Sequence, residues 1–330
     1  MEPAHPVQTL FITCLMVVIT TGNLLNIVVI QKMRRVPTIP RYFMTSLAAT
    51  DLGVGLLCIP FAIHPSVVGI WTYGDVWCQL VGCLSCTFAA ISTYTLFFVG
   101  IERYVAVKWP LRSPMIVTQK RAIALISAIW IAVIIFCFAL IDFYSDMPVY
   151  IYLESAFICG ANLYNPEKKG FIMTTIAVVV IIPSVVMVYI YLTLAKVAWQ
   201  HSKKIHHPSN NDNPNQDKSR TSADNWKAAR MFIAVACAFM IAWFPYSVSV
   251  LYRVFTGHVI SPTVGFCVFW LVPLNSFWNF LVYGVMNRSY RETAKAMLAK
   301  MFECRWQERF TNKTKVQVFE ISDTLAQRTT

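Results

Sequence analysis

Residues 78–104 read CQLVGCLSCTFAAISTYTLFFVGIERY: one cysteine, 23 residues without a charged side chain, then Glu102-Arg103-Tyr104. An α-helix rises about 1.5 Å per residue, so about 20 apolar residues cross the hydrocarbon core of a bilayer. This run is long enough. The charged triplet that ends it suits a membrane edge and would be costly at a membrane centre.

Working outward, six further stretches have the same character, and the predicted spans are 7–31, 42–66, 77–101, 121–143, 170–197, 229–253 and 262–286. Only 13% of the 330 residues are charged and 57% are hydrophobic, against about a quarter charged in an ordinary soluble domain. The fold class is therefore an all-α membrane protein, a seven-transmembrane helix bundle. The chain divides into an extracellular N-terminus (1–6), the seven-span domain (7–286), an amphipathic membrane-surface helix (287–302) and a cytoplasmic tail of disordered composition (303–330). Within the domain, the Ser-, Asn-, Asp- and Pro-rich stretch 201–226 reads as a polar cytoplasmic loop without regular structure. In 287–302, Tyr290, Met297, Leu298 and Met301 can face lipid while Arg and Lys face water.

Positive charge sets the orientation. Lys32, Arg34, Arg35, Arg41, Lys108, Arg112, Lys120, Arg121, Lys203 and Lys204 all fall on one side, which the positive-inside rule makes cytoplasmic. The net charge of +12 is then explained by topology and anionic inner-leaflet lipid, and gives no support to nucleic-acid binding. No nucleophile–base set or metal-ligand cluster stands in the water-exposed segments, so no enzyme is predicted. A transporter or channel would need a continuous polar path, and Asp51 is the only acid near mid-membrane in any span.

Intramembrane polar groups are costly and are read as functional candidates. Asp51 is either an acid kept neutral by hydrogen bonds or a cation site; for the second, Asn23, Ser92, Asn275, Ser276 and Asn279 lie at similar depth. Glu102 and Arg103 either pair at the membrane edge or form a switch in which the arginine changes partners. Pro60, Pro183, Pro245 and Pro273 each remove a helical hydrogen bond. Cys78 and Cys159 both face the oxidising side, where a bridge is chemically reasonable. Cys304 reads either as a palmitoylation site or as a free thiol.

In order along the chain, Gly22-Asn23, Leu47-Ala-Ala-Thr-Asp51, Cys78 with Glu102-Arg103-Tyr104, Trp130, Pro183 with Tyr191, Phe239 with Trp243 and Pro245, Asn279-Phe-Leu-Val-Tyr283 and Asn287-Arg-Ser-Tyr-Arg291 resemble the motifs of the rhodopsin-like G-protein-coupled receptors. The resemblance covers about 7–302. It implies a Cys78–Cys159 bridge, and an allosteric sodium site at Asp51, Ser92, Asn275, Ser276 and Asn279 with no other cofactor. It implies coupling to a heterotrimeric G protein through Glu102, Arg103 and Tyr104. Tyr191 and Tyr283 would steady the open state, with Phe239 and Trp243 relaying ligand binding to a hinge at Pro245, and Asn279 would belong to the same switch. Receptor kinases and arrestin would act on tail hydroxyls such as Thr311 and Ser322.

Within the family, Arg41-Tyr-Phe-Met-Thr-Ser-Leu-Ala-Ala-Thr-Asp51 and Trp71-Thr-Tyr-Gly-Asp-Val-Trp-Cys78 look most like the aminergic branch, adrenergic and trace-amine receptors especially. That branch holds its amine with an Asp seven residues after the cysteine, and here the position is Ser85. Position 273, where the opsins carry lysine, is Pro273. The remaining pocket positions by correspondence are Cys86, Ala89, Thr175, Val179, Trp243, Tyr246, Ser247 and Phe269, a largely apolar lining suited to a neutral or weakly polar small molecule. Arg253 reads as a snorkelled surface arginine in preference to a contact for an acidic group. Phe280 replaces the kinking proline of the seventh-span motif, and Asn225 stands where an acid commonly ties Arg103 to the sixth span. These departures keep two other readings open: an aminergic-like receptor with a different amine contact, and a receptor-like protein that does not signal.

Overall fold

The computed structural model describes residues 5–33, 37–139, 141, 148–163, 169–205 and 216–300. Cys304, Met301, Thr311 and Ser322 lie outside the described residues, as do the side chains of Asn225 and its neighbour Asp224.

The elements are α1 (Pro6–Lys32), α2 (Thr38–Leu57), α3 (Pro60–Val68), α4 (Asp75–Lys108), α5 (Ser113–Ile116), α6 (Gln119–Ala139), β1 (Tyr150–Leu153) and β2 (Ile158–Ala161). After them come α7 (Lys169–Ile176), a π-helical turn (Ala177–Ile181), α8 (Ile182–Ile205), α9 (Gln216–Thr256), α10 (Pro262–Met286) and a final helix, α11, over 288–300. Seven of the helical segments are long and apolar enough to cross a membrane. Helices satisfy every backbone group internally, which is why apolar runs of this length take this form in lipid. The most buried is α4 and the least buried α6, so α4 runs through the middle of the bundle. Outward-facing side chains such as Ile135, Val185, Leu192, Ile241 and Phe244 are exposed apolar groups suited to acyl chains.

Proline places the irregularities. At Pro60 the second span breaks: Cys58 and Ile59 both donate to the Val54 carbonyl, at 3.2 and 3.1 Å, before α3 restarts. At Pro183 the missing N–H leaves the Val178 carbonyl without a π-helical donor, and the Tyr94 hydroxyl supplies one across the bundle at 3.1 Å. Pro245 and Pro273 sit inside helices that continue through them.

Three expectations change. The stretch 201–226 is not wholly irregular, because α8 runs to Ile205 and α9 starts at Gln216, leaving 206–215 outside the described residues. The helix of the fourth span, α6, is described to Ala139, and Ile141 already lies outside it, short of the predicted boundary at 143. Tyr290 faces inward, not toward lipid: it is 3% exposed, and its hydroxyl donates to Asn26 Oδ1 at 2.8 Å. Leu298 is exposed as expected.

The antiparallel β1–β2 hairpin had no strong sequence signal. Tyr152 pairs with Cys159 in its register, and Cys159 is bonded to Cys78 at the start of α4. Trp270 Nε1 donates to the Ala156 carbonyl at 3.1 Å, fastening the hairpin turn to α10.

Candidate ligand cavity and charged switch

At the hairpin end of the bundle lies a cavity of about 170 Å³. Of the expected pocket residues, Ser85, Cys86, Ala89, Thr175, Val179, Trp243, Tyr246 and Phe269 all line it. Ser247 does not: one residue past Tyr246 it points along the helix and donates to the Trp243 carbonyl at 2.9 Å. The sequence reading missed the walls contributed by Cys58 and Ile59 at the α2–α3 break and by Tyr150, Gly160 and Ala161 of the hairpin. No periodicity in those segments points to a cavity; the disulfide brings the hairpin there.

Tyr150 is held firmly. The Gln79 amide, buried in α4, donates to the Tyr150 carbonyl and accepts from its N–H at 3.2 Å. Its ring rests on Gly82, where an added Cβ would fall 2.6 Å from ring carbons. Burial pushes the Tyr150 phenol up from its ordinary range, so it stays neutral.

The lining is apolar with a few hydroxyls, and among the described residues it contains no charged side chain. Ser85 Oγ and Thr175 Oγ1 are buried there without a hydrogen-bond partner. Buried hydroxyls in native proteins are normally satisfied, so both are ready contacts for a guest. A smaller chamber of about 30 Å³ adjoins, sharing Ala161, Tyr246 and Phe269. Arg253, expected on the open surface, is half-buried and lines this chamber with Ser155 and Ser249.

Trp243 connects the cavity to the interior. Its ring stacks at 5.7 Å on Phe239, which is fully buried one turn further along α9. At the far end of α4, Glu102 and Arg103 are buried and paired through two hydrogen bonds, with the guanidinium 6.0 Å from the Phe232 ring of α9. This is not a snorkelled pair: both charges are withdrawn from solvent, where losing one partner is costly. Tyr104 points elsewhere, accepting from Lys108 Nζ at 2.7 Å. Tyr191 is buried over Gly100 and donates to the Leu96 carbonyl at 3.4 Å.

Between cavity and pair, Asp51 Oδ2 accepts from Asn279 Nδ2 at 2.7 Å, with Ser276 also beside the carboxylate. Ser92 Oγ, Asn275 Oδ1, Asn279 Oδ1 and the Tyr283 hydroxyl are buried without hydrogen-bond partners. Asn23 is committed elsewhere: its Nδ2 donates to the Ile19 and Ser276 carbonyls, at 3.0 and 3.1 Å, and its Oδ1 accepts from Asn26.

Residues 22–283 match the family described as 7 transmembrane receptor (rhodopsin family). The chain belongs to that family. Membership makes the protein a multi-pass membrane receptor and not an enzyme. The receptor is 28% identical over 309 residues to the histamine H2 receptor of Rattus norvegicus, covering 93% of this chain and 82% of that one. It is also 28% identical over 279 residues to trace amine-associated receptor 7d of Rattus norvegicus, covering 84% and 78%. The human histamine H2 receptor is similar at 28% over 324 residues. The receptor is therefore of the rhodopsin-like class and aminergic-like in sequence, and its bridge between Cys78 and Cys159 is formed.

Proposed function

We propose that the receptor promotes nucleotide exchange on a heterotrimeric G protein when a small extracellular ligand, other than a classical protonated amine, occupies the cavity. One observation carries the reading: Trp243 lines the cavity and stacks on Phe239 in α9, the helix whose Phe232 faces Arg103. A ligand that binds better when α9 has moved would shift the population toward a state with Arg103 exposed to the G protein. Pro245, two residues past Trp243, would lower the cost of bending there. Tyr191 and Tyr283, both buried close to this path, would brace the moved state. The orientation proposed is the one the basic residues favour, with the hairpin outside and Arg103 inside.

Asp51 has Asn279 and Ser276 at its carboxylate, and Ser92, Asn275 and Asn279 carry buried oxygens without hydrogen-bond partners. That donor set suits a hard cation, and we assign it to sodium, which would neutralise Asp51 and favour the resting arrangement.

Against an amine ligand stands the cavity itself, where Ser85 replaces the acid and a hydroxyl does not offset the desolvation of an ammonium. In favour of one stand the relatives, named for histamine and trace amines. Guanine-nucleotide exchange in membranes carrying the receptor, with and without a biogenic-amine panel and beside Arg103→Ala, separates the two. Basal exchange lost in the variant and unmoved by amines supports the proposal. An amine response that Arg103→Ala removes supports the amine reading. Exchange equal in both proteins under every condition would reject coupling through Arg103.

A further inference from the structure

We infer that the ligand is an uncharged phenolic alcohol: a single aromatic ring with two oxygen substituents, one for the hydroxyl of Thr175 and one for that of Ser85. The inference rests on the reading of the larger cavity as the ligand site.

Size and charge set the first limits. Cavities of ~150 Å³ with apolar walls take up benzene-sized molecules. This one, at about 170 Å³, holds a single substituted ring. Among the described residues its lining contains neither an acid nor a base. An ammonium or a carboxylate would lose its water there and gain no counter-ion. The walls also favour an arene over a saturated ring. Trp243, Tyr246, Phe269 and Trp270 all line the space. They meet edge to face in that order, with centroids 5.8, 6.3 and 6.2 Å apart and planes at 88°, 77° and 71°. An aromatic guest extends such an edge-to-face pattern, whereas a saturated ring lacks the quadrupole to do so.

The hydroxyls supply the polar contacts. Thr174 takes the usual helical route, donating to the Gly170 carbonyl at 2.9 Å, but Thr175 Oγ1 is buried in the cavity wall without a partner. Two residues later begins the π-helical turn Ala177–Ile181, and its Val179 and Val180 both line the cavity. Such turns recur at functional sites. Ser85 Oγ, on α4, is the second buried oxygen without a hydrogen-bond partner, and its polar neighbour is the Cys58 thiol. A thiol is a weak donor and a weak acceptor, so a guest oxygen competes with it easily. Each hydroxyl can donate or accept, as can both oxygens of a phenolic alcohol. Because Thr175 and Ser85 stand on different helices, one oxygen is assigned to each.

The probes are tyrosol and 4-hydroxybenzyl alcohol, beside compounds that each change one feature of tyrosol. Tyramine replaces its alcohol with an ammonium and 4-hydroxyphenylacetate with a carboxylate, while 4-ethylphenol and 2-phenylethanol each lack one oxygen. The readout is the Tm of the full-length receptor in lipid nanodiscs. We expect a saturable rise with at least one phenolic alcohol, at concentrations at least about tenfold below those tyramine or the acid needs. Thr175→Val and Ser85→Ala should each raise the half-maximal concentration about three- to tenfold. Each variant should lose that effect with the single-oxygen probe that lacks its partner. Thr175→Val removes a buried hydroxyl that has no partner, so it should not lower the unliganded Tm. If Ser85→Ala lowers it through Cys58, Thr175→Val alone decides. The inference is overturned if neither phenolic alcohol raises the Tm, if tyramine or the acid matches them, or if Thr175→Val binds them as wild type does. Binding of a phenolic alcohol without any change in nucleotide exchange would retain the ligand class and reject the signalling reading. Exchange abolished by Arg103→Ala with no phenolic alcohol bound would do the reverse.

Discussion

The ring of Phe280 in α10 packs on the bare α-carbon of Gly22 in α1, where an added methyl group would stand 3.2 Å from the ring's Cγ. Phe280 occupies the place of a proline in the family's motif, yet α10 continues through it, and its bulk is taken up by the glycine opposite. Gly22→Val should therefore force the two helices apart and lower stability by roughly 1–3 kcal/mol. Thermal unfolding of the purified receptor measures the loss, and Phe280→Leu in the same chain should restore part of it. Equal stability of Gly22→Val and wild type would contradict the packing described.

A hydrogen-bonded chain joins three helices: Tyr290 donates to Asn26, Asn26 to Asn23, and Asn23 to the Ser276 carbonyl, at 2.8, 3.1 and 3.1 Å. Tyr290→Phe leaves Asn26 Oδ1 buried without its donor and should cost about 1–3 kcal/mol. Burial pushes the Tyr290 phenol up from 10.0 to about 12. The unfolded chain would then lose this proton first, so this contribution should be complete below pH 10 and decline as the pH rises toward 12. A variant with the same alkaline profile as wild type would show that the phenol is not the group responsible.

The Cys78–Cys159 bridge closes a loop of 81 residues and carries the hairpin wall of the cavity. Cys159→Ala should lower stability by about 2–4 kcal/mol, and mild reduction of wild type should bring it to the same Tm. Reduction that leaves the wild-type transition in place would mean the hairpin is held by Gln79 and Trp270 alone.

Asp51→Asn keeps the shape of the side chain and removes its charge. In wild-type membranes, replacing sodium with choline at constant ionic strength should raise basal nucleotide exchange; in the variant it should change nothing. A sodium response that survives the substitution would place the ion elsewhere.

Seven spans and the order of polar residues along the helices were legible because lipid makes simple demands, whereas the bridge partners came from the resemblance. A run of about 20 apolar residues has one good solution there, and each charge within it stands out against its surroundings. Most of the cavity residues on α4, α9 and α10 were legible through the resemblance, as positions corresponding to the family's pocket. Ser247 marks the limit, because one step along α9 from Tyr246 turns a side chain away from the cavity.

What the tertiary structure alone decided depends on contacts between segments far apart in the chain. Tyr290 looks like a lipid-facing aromatic until Asn26, 264 residues away, accepts its hydroxyl. Tyr150 is unremarkable in a loop until Gly82 leaves space for its ring and Gln79 holds its backbone. Arg253 reads as a surface cation until Ser155 and Phe269 enclose a chamber around it. Local spacing determines which helices form, because their hydrogen bonds are local. Which polar groups end up satisfied, orphaned or enclosed depends on the packing partner, and no window of sequence contains both halves of such a pair.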